Sequence, residues 1–400
     1  MRRMLLNGKV IGILTVFLIL FMAAGHAEEE QTVYTWKSSR RDAEIDYILT
    51  DGQATIIEYI IYGYPDKVVI PDRLNKHPVI GIGDKAFIGN YSQIRSFTIP
   101  EGVTYIGSDA FRGCQMESIT IPSSVESIGD GAFASCSLLT SVTIPEGVNY
   151  IGNDAFLDCI WLADVTIPAS VIAMGGNPFG GCKKISTINV DPENPVYASI
   201  DGVLFDQREK VLVSYPSGSP NEFYAIPQGT LIIGEGAFTG MPWLELTQIT
   251  IPDSVISTGR SPFRRCNKLS RIDVDEGNPV FVTIDGVLFD QRQKVLVSHP
   301  PGLSNETYTI PQDVKIIGEY AFWHCDKLTN VIMPDGITSI GDYAFAHCDG
   351  LTSVSIPASV TRIGDYAFTY CPNLILTVST RYAIQFASEH GVRYTFPVEE

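Results

Sequence analysis

Apolar and polar positions along the chain follow a pattern that returns every 22 or 23 residues, as the Ile-Pro pairs at Ile99, Ile121, Ile144 and Ile167 show. One complete unit has its apolar residues at Cys136, Leu139, Val142, Ile144, Val148, Ile151, Ala155 and Phe156. Val142 and Ile144 alternate with polar neighbours, which is the period of a half-buried strand. Pro145 ends that strand because it has no N–H to donate.

A second conserved-spacing motif, a glycine followed by a phenylalanine, comes after each predicted strand. Glycine recurs at positions 83, 107, 129, 152, 175, 234, 259, 318, 341 and 364, and a phenylalanine stands four residues after every one. Gly152 permits a backbone turn, and Asn153–Phe156 is predicted to be a short helical turn capped by Asn153 or Asp154. One coil cannot bury its own apolar face, but stacked coils can, so the period predicts a solenoid.

Two units, residues 167–226 and 251–310, are longer than the rest. They are near copies, because residues 201–218 match residues 285–302 at all but three positions: Glu209/Gln293, Tyr215/His299 and Ser217/Pro301. In each, two apolar runs surround a polar turn. We expect a β-hairpin that projects from the solenoid.

The repeating order Ile-Pro, Ile-Gly, Ala-Phe, Cys and Leu resembles the BspA-like leucine-rich repeat family. The resemblance implies one right-handed, mainly β solenoid with short helical turns and two inserted hairpins. By this resemblance we expect an N-terminal cap at residues 28–79, a solenoid of about ten coils at 80–376, and a C-terminal cap at 377–400. Members of that family are secreted or surface proteins, some implicated in adhesion.

Residues 1–27 have the pattern of a secretory signal peptide: basic residues at Arg2, Arg3 and Lys9, an apolar run, then small residues up to Ala27. The alternative is an uncleaved membrane anchor, although the apolar run is short for a spanning helix. The pattern predicts a secreted protein, with possible cell-surface association, whose mature chain has no membrane span.

Composition and net charge exclude several classes of protein. Among 400 residues, hydrophobic residues make up 45%, with 35 glycines and 24 prolines, which excludes a disordered tail and a coiled coil. The formal net charge is −17, so nucleic acid is not an expected partner.

The eight cysteines occupy one slot, each three residues after a repeat phenylalanine. Two coils have Asn90 and Met241 in that slot instead. Because the slot accepts methionine, we expect a ladder of buried thiols, with occasional disulfides between coils as the alternative. His324 and His347 precede two of these cysteines, and we expect exposed histidines rather than metal ligands. No catalytic, cofactor or metal motif is found.

Outward side chains of the strands are expected to stack into one face that binds a protein or a glycan on a host or microbial surface. Its predicted centre consists of Ser141, Thr143, Asp164, Thr166, Thr187, Asn189, Gln248, Thr250, Arg271 and Asp273. Trp161 and Trp243, which share a slot, are candidate aromatic contacts. The alternative for this face is that Ser and Thr merely suit strands.

The sequence therefore predicts a secreted, non-enzymatic binding or adhesion protein, and leaves its oligomeric state open. One alternative is a polysaccharide-acting enzyme, which would need a groove with two close carboxylates of raised pKa. Another is a structural surface or matrix component, in which Tyr215, Phe281 and His299 of the long units would serve as contacts.

Overall fold

The computed structural model describes residues 32–40, 42–63, 65–88, 94–240 and 243–397, and the predicted signal peptide lies outside them. The fold is a β-solenoid of about 14 turns. One short α-helix, Arg381–Glu389, is found in the described part of the chain, and its Thr380 N-cap accepts a hydrogen bond from Ala383 N. No helix in those ranges has the length and hydropathy required to cross a bilayer.

Most coils place one short strand just before the proline, and these strands form the Ile-Pro row; the coil of Pro145 has only a bridge at Ser141 instead of the predicted strand. The row is three parallel ladders. The first contains Lys67–Val69, Ser96–Thr98, Ser118–Thr120, Thr166–Ile167 and Asn189–Val190, with Ser141 bridging Ser118 and Asp164. The second contains Phe223–Ala225, Gln248–Ile251 and Arg271–Val274. The third contains Thr307–Thr309, Asn330–Ile332, Ser353–Ile356, Ile375–Val378 and Tyr394–Thr395. The ten Gly and Phe signatures undercount the turns, because the long units and the C-terminal segment contribute further strands.

A second strand in most coils precedes the repeat glycine, and these strands form the Ile-Gly row. After the N-terminal segment, the first sheet contains His77–Ile82, Tyr105–Ile106, Ser127–Ile128, Tyr150–Ile151 and Ala173–Met174, with Arg73–Leu74 paired to His77–Ile82. The second sheet contains Ile232–Ile233 and Ser257–Thr258. The third contains Ile316–Ile317, Ser339–Ile340 and Arg362–Ile363.

Every sheet of the Ile-Gly row begins with a three-stranded antiparallel meander. The strands are Val33–Lys37, Ala43–Thr50 and Gln53–Ile61; then Tyr197–Ile200, Val203–Asp206 and Val211–Ser214; then Phe281–Ile284, Val287–Asp290 and Val295–Ser298. Within each, an Asp-Gly turn with positive φ at both residues joins two strands, at 51–52, 201–202 and 285–286. The solenoid thus consists of three blocks, each started by a meander.

The expectation that the long-unit hairpins project from the solenoid is wrong. Leu212 and Leu296 are fully buried, and their strands pair in parallel with Ile232–Ile233 and Ile316–Ile317 of the next coil. The sequence pattern missed the first strand of each meander. It is this strand and the Asp-Gly turn that make the segment a start of a sheet rather than a protrusion.

The core follows the same division into three blocks, with three buried hydrophobic clusters. Repeat phenylalanines stack at 4.6–5.6 Å between ring centroids, from Phe87 to Phe179 in the first block. Each stack starts with another ring, which lies in the last meander strand (Tyr59) or directly after it (Tyr215 and His299). Tyr215, His299 and Phe281 are only 1%, 2% and 4% exposed, so they are not available as contacts for a partner.

A buried asparagine in each long unit joins the start of the meander to the turn that follows the Ile-Pro pair of that unit. Asn194 Nδ2 donates to Pro168 O at 2.7 Å and Val171 O at 3.1 Å, while its Oδ1 accepts from the N–H groups of residues 196 and 197. Asn278 repeats the same four hydrogen bonds in the second long unit. All the hydrogen-bonding capacity of both amides is used where the strand ladders break.

The predicted capped helical turn is also wrong. Asp154 has φ 52°, which no right-handed helix allows, and the segment is a turn. Asn153 Oδ1 accepts from Gly176 N of the following coil at 2.7 Å, and Asn153 N donates to Asp130 Oδ1 of the preceding coil. The asparagine therefore links neighbouring coils instead of capping its own turn.

The cysteines are free thiols, buried at all positions except half-buried Cys371. Seven of the thiols donate to the backbone carbonyl of the phenylalanine in the preceding coil, as Cys136 does to Phe111 O at 3.1 Å. Cys325 lies beside His299 instead, with 3.4 Å from Sγ to Nδ1. The slot is a packing position whose thiol also satisfies a carbonyl.

Candidate binding surfaces

The predicted strand face splits into two parts, because the first and second ladders of the Ile-Pro row do not pair. On the first ladder, Ser141 bridges to Asp164, and Thr166 is opposite Asn189. Six predicted side chains are exposed there: Ser141, Thr143, Asp164, Thr166, Thr187 and Asn189. None of the six forms a hydrogen bond or an ion pair through its side chain with the described residues. We call these six residues the open strand face.

The remaining predicted residues lie on the second ladder, where they bind each other. Gln248 is opposite Arg271 and Thr250 is opposite Asp273. Gln248 Nε2 donates to Asp273 Oδ2 at 2.6 Å, and Arg271 Nε donates to Asp273 Oδ1 at 2.8 Å. Arg271 is exposed, while Gln248, Thr250 and Asp273 are half-buried. The charge of Asp273 is therefore compensated internally, and this part of the face offers fewer open groups.

The two tryptophans lie on either side of a lysine pair at the junction of the first two blocks. Lys184 Nζ is 5.1 Å from the Trp161 ring centroid, and Lys183 Nζ is 5.3 Å from that of Trp243. Trp161 is 50% exposed, whereas Trp243 is half-buried and its buried Nε1 has no hydrogen-bond partner in the described protein. An ammonium group therefore covers part of each ring.

A groove of about 400 Å³ crosses the turns that follow the repeat glycines. Its charged lining residues are Asp154, Glu235, Arg260, Arg264, Glu319 and Asp342. Burial raises the pKa of the Asp154 carboxyl; Arg264 opposes that shift, and the Glu235 carboxylate adds to it. Residues of all three blocks line the groove. Near it, an ion pair joins the first block to the second, with 3.2 Å between Arg265 Nη1 and Asp158 Oδ2.

Three buried polar atoms in this groove have no protein partner among the described residues: Thr239 Oγ1, Ser261 Oγ and Arg264 Nε. Unpaired buried polar groups are costly unless water or a ligand satisfies them. The groove therefore has the hydrogen-bonding capacity to hold a polar group. Within the same ranges, no cluster of three or more His, Cys, Asp or Glu side chains is placed to hold a metal ion.

Sequence reasoning missed the groove because its residues come from several coils spread over 190 positions, from Asn153 to Tyr343. Glu319 directly follows a repeat glycine and Asp154 stands two residues after one, in slots where most coils have polar residues. The signal in the sequence was a break in that pattern, since Arg260 is basic in the slot directly after the repeat glycine, where the other coils have acidic, small or amide residues.

The model of the BspA-type leucine-rich repeat region matches the chain at residues 69–205, 217–295 and 302–386, in six copies. No curated protein matches the chain. Among solved structures, a leucine-rich cell surface protein from Faecalibacterium prausnitzii A2-165 is 28% identical, with 90% of this chain and 98% of that chain covered and a TM-score of 0.43. A leucine-rich repeat protein from Eubacterium ventriosum ATCC 27560 is 24% identical, with coverages of 87% and 96% and a TM-score of 0.49.

Proposed function

The chain belongs to the BspA-type leucine-rich repeat family, and from that premise we propose that it is a secreted, non-enzymatic binding protein. In this proposal the open strand face binds a protein or a glycan on a host or microbial surface. Its secretion is inferred from the sequence of residues 1–27. Repeat proteins generally bind partners through such extended rigid surfaces.

One observation supports the proposal above the others. The open strand face has six exposed polar side chains on neighbouring rungs, all with unused hydrogen-bonding capacity. The parallel ladder holds their backbones in place before any partner arrives, so binding would cost little ordering entropy. Asp164 is an exposed carboxylate in the middle of this surface, and no cationic side chain in the described part of the chain pairs with it.

The test is a printed array of glycans and extracellular-matrix proteins, incubated with the purified protein and read by bound fluorescence. We expect a saturable hit that Asp164→Lys weakens at least tenfold. Glu58→Lys is the matched control, because Glu58 is an exposed strand carboxylate of the N-terminal meander and undergoes the same change of charge. Asp273→Lys is a second variant, which also breaks the bonds from Gln248 and Arg271.

A hit that Glu58→Lys weakens as much as Asp164→Lys would remove the open strand face from the proposal. A blank array with folded protein would favour a structural surface or matrix component, and light scattering would then test for ordered self-assembly.

A polysaccharide-acting enzyme is the second candidate, and the groove is the observation that favours it. It contains four carboxylates, and burial raises the pKa of Asp154, as a general acid requires. Release of reducing ends from a panel of polysaccharides would support this function if Asp154→Asn abolished it. Activity that survives Asp154→Asn would come from a contaminant or from another site.

A further inference from the structure

Seven aromatic side chains meet on the turn side of the third block, away from the strand face. They form the aromatic surface: Tyr320, Trp323, His324, Tyr343, His347, Tyr366 and Tyr370. Tyr320, Tyr343 and Tyr366 stack at 4.9 and 5.1 Å between ring centroids. A parallel row of His324, His347 and Tyr370 stacks at 4.8 and 4.5 Å.

The backbone under these rings is unusual. Six of the seven residues, all except Trp323, have φ between 53° and 58°, in the left-handed region that bulky residues rarely adopt. At the same two positions, the earlier coils mostly have small or turn-forming residues with positive φ, such as Gly131, Asp154 and Asn177. The third block thus keeps aromatic rings where the fold favours Gly, Asn or Asp, and such strain clusters at ligand-binding sites.

Carboxylates border the aromatic surface on both sides. Glu319, Asp342 and Asp365 precede the three tyrosines of the first row, and Asp342 Oδ1 accepts from Asp365 N at 3.0 Å. Asp326 and Asp349 follow the cysteines on the other side and are exposed. Electron-rich ring faces and carboxylates attract the same partner, a cation.

The chain itself shows how such a cation binds. At the start of the tyrosine row, the Arg264 guanidinium lies over the Tyr320 ring, 5.6 Å from its centroid. Beside it, Arg260 Nε pairs with Glu319 at 3.7 Å. Two arginines of the second block therefore occupy the first aromatic ring and its adjacent carboxylate.

The other end of the row repeats the same pair without the arginines. Asp365 and Tyr366 stand two coils after Glu319 and Tyr320, in the same slots. Tyr366 is 56% exposed and Tyr370 is 69% exposed, and no cation of the described chain is placed over either ring. This end therefore has a carboxylate and a tyrosine ring like those that Arg260 and Arg264 contact at the first end.

We propose that Asp365, Tyr366 and Tyr370 bind arginine side chains of a basic polypeptide. The planar guanidinium stacks on a tyrosine ring and pairs with a carboxylate at once, which an ammonium group does less well. The proposal goes beyond the open strand face, since it concerns a different surface and a different chemistry. An oligosaccharide stacked on the tyrosines is the competing occupant.

The test uses a fluorescein-labelled nona-arginine peptide, titrated with the purified protein and followed by fluorescence anisotropy. We expect Asp365→Asn and Tyr366→Asn each to weaken binding about fivefold, and a nona-lysine peptide to bind the unchanged protein more weakly than nona-arginine. Because asparagine tolerates the left-handed conformation, as Asn177 does in the same slot, Tyr366→Asn should leave the melting temperature unchanged or raise it.

Tyr62→Asn is the matched control. Tyr62 is 52% exposed and borders the carboxylate of Glu44, but it directly follows the N-terminal meander and lies outside the aromatic surface. Its loss should not change the affinity for nona-arginine. Equal affinity of all variants would show attraction to the net charge of −17 alone and would overturn the proposal.

Two further outcomes would also overturn it. One is a melting temperature that falls with Tyr366→Asn while peptide binding stays constant, because the rings would then be structural. The other is a neutral oligosaccharide that binds and is lost in Tyr366→Asn, with no effect of that variant on the peptide. Neither outcome bears on Asp164, so this proposal and the proposed function fail separately.

Discussion

The two long units are near copies, yet each places a different ring at the start of its phenylalanine stack. Tyr215 in residues 167–226 lies 5.2 Å from Phe238, and His299 in residues 251–310 lies 5.2 Å from Phe322. Both N–H groups donate to the alanine carbonyl of the next coil at 2.7 Å. The position therefore requires a flat ring that completes the stack, and it tolerates a change in the chemistry of that ring.

The surroundings of the two rings differ accordingly. Tyr215 OH donates to Ser219 Oγ at 3.0 Å. His299 instead contacts Cys325 Sγ through Nδ1 and Asn305 Nδ2 through Nε2, both at 3.4 Å. Burial lowers the pKa of His299 to about 4. The third block therefore contains a buried titratable group at its start, and the second block has a phenol there that stays neutral over the same pH range.

The largest expected loss of stability comes from changing the buried asparagine that the two long units share. Asn194→Asp and Asn278→Asp each replace a doubly donating amide by a carboxylate that faces two buried carbonyls. We expect each to lower the free energy of unfolding by roughly 4 kcal/mol, measured by guanidinium denaturation. Asn149→Asp, the same change at an exposed position, should cost less than about 0.5 kcal/mol. A small loss at either buried position would show that the two junctions are not equivalent.

The next largest effect is a pH dependence of the free energy of unfolding that His299 causes and Tyr215 does not. The pKa of His299 is about 4 in the folded protein and 6.5 in an unconstrained chain. Above pH 6.5 the imidazole is neutral in both states, so its titration does not reduce the free energy of unfolding there. As pH falls below 6.5, the unfolded chain takes up a proton that the folded protein refuses. The folded state then loses about 1.4 kcal/mol per pH unit, or about 3 kcal/mol in total by pH 4.

His299→Tyr should remove this loss, and Tyr215→His should add a second one. The measurement is the free energy of unfolding of each variant at pH 7 and at pH 4, relative to the unchanged protein. Asn305 remains beside the new phenol as a hydrogen-bond partner. Parallel pH curves for the unchanged protein and His299→Tyr would contradict the assignment.

The smallest effect concerns the third difference between the copies. Ser217 Oγ accepts from Gly181 N at 3.0 Å and donates to Thr239 O at 3.3 Å, all buried. Ser217→Ala should cost roughly 2 kcal/mol because Gly181 N loses its partner. Pro301→Ala at the matching site removes no hydrogen bond and should cost at most about 1 kcal/mol, through the unfolded chain. Thermal unfolding of both variants measures the difference, and equal losses would refute the role of Ser217.

Much of the fold was predictable because its signals are local and repeated. The short strand before the repeat proline, the packing cysteine and the stacked phenylalanines each depend on one short segment that recurs in most coils. The prediction of a strand before Pro145 itself was wrong, because that coil has only a bridge at Ser141. The meander at Val203 was less predictable, since its first strand, Tyr197–Ile200, has no strict alternation of apolar and polar residues. The six residues of the open strand face are exposed as predicted, and their binding role stays a prediction.

What the sequence by itself determined is the solenoid, since a 22 or 23 residue period of buried positions has few other ways to exclude water. The family follows from the same residues, and so does the buried thiol ladder. The tertiary structure alone decided which polar groups are satisfied internally. Asp273 is neutralised by Arg271 while Asp164 stays open, and Arg264 covers Tyr320 while Tyr366 stays bare. These differences arise because the breaks between blocks set which distant side chains meet, and no local pattern encodes that.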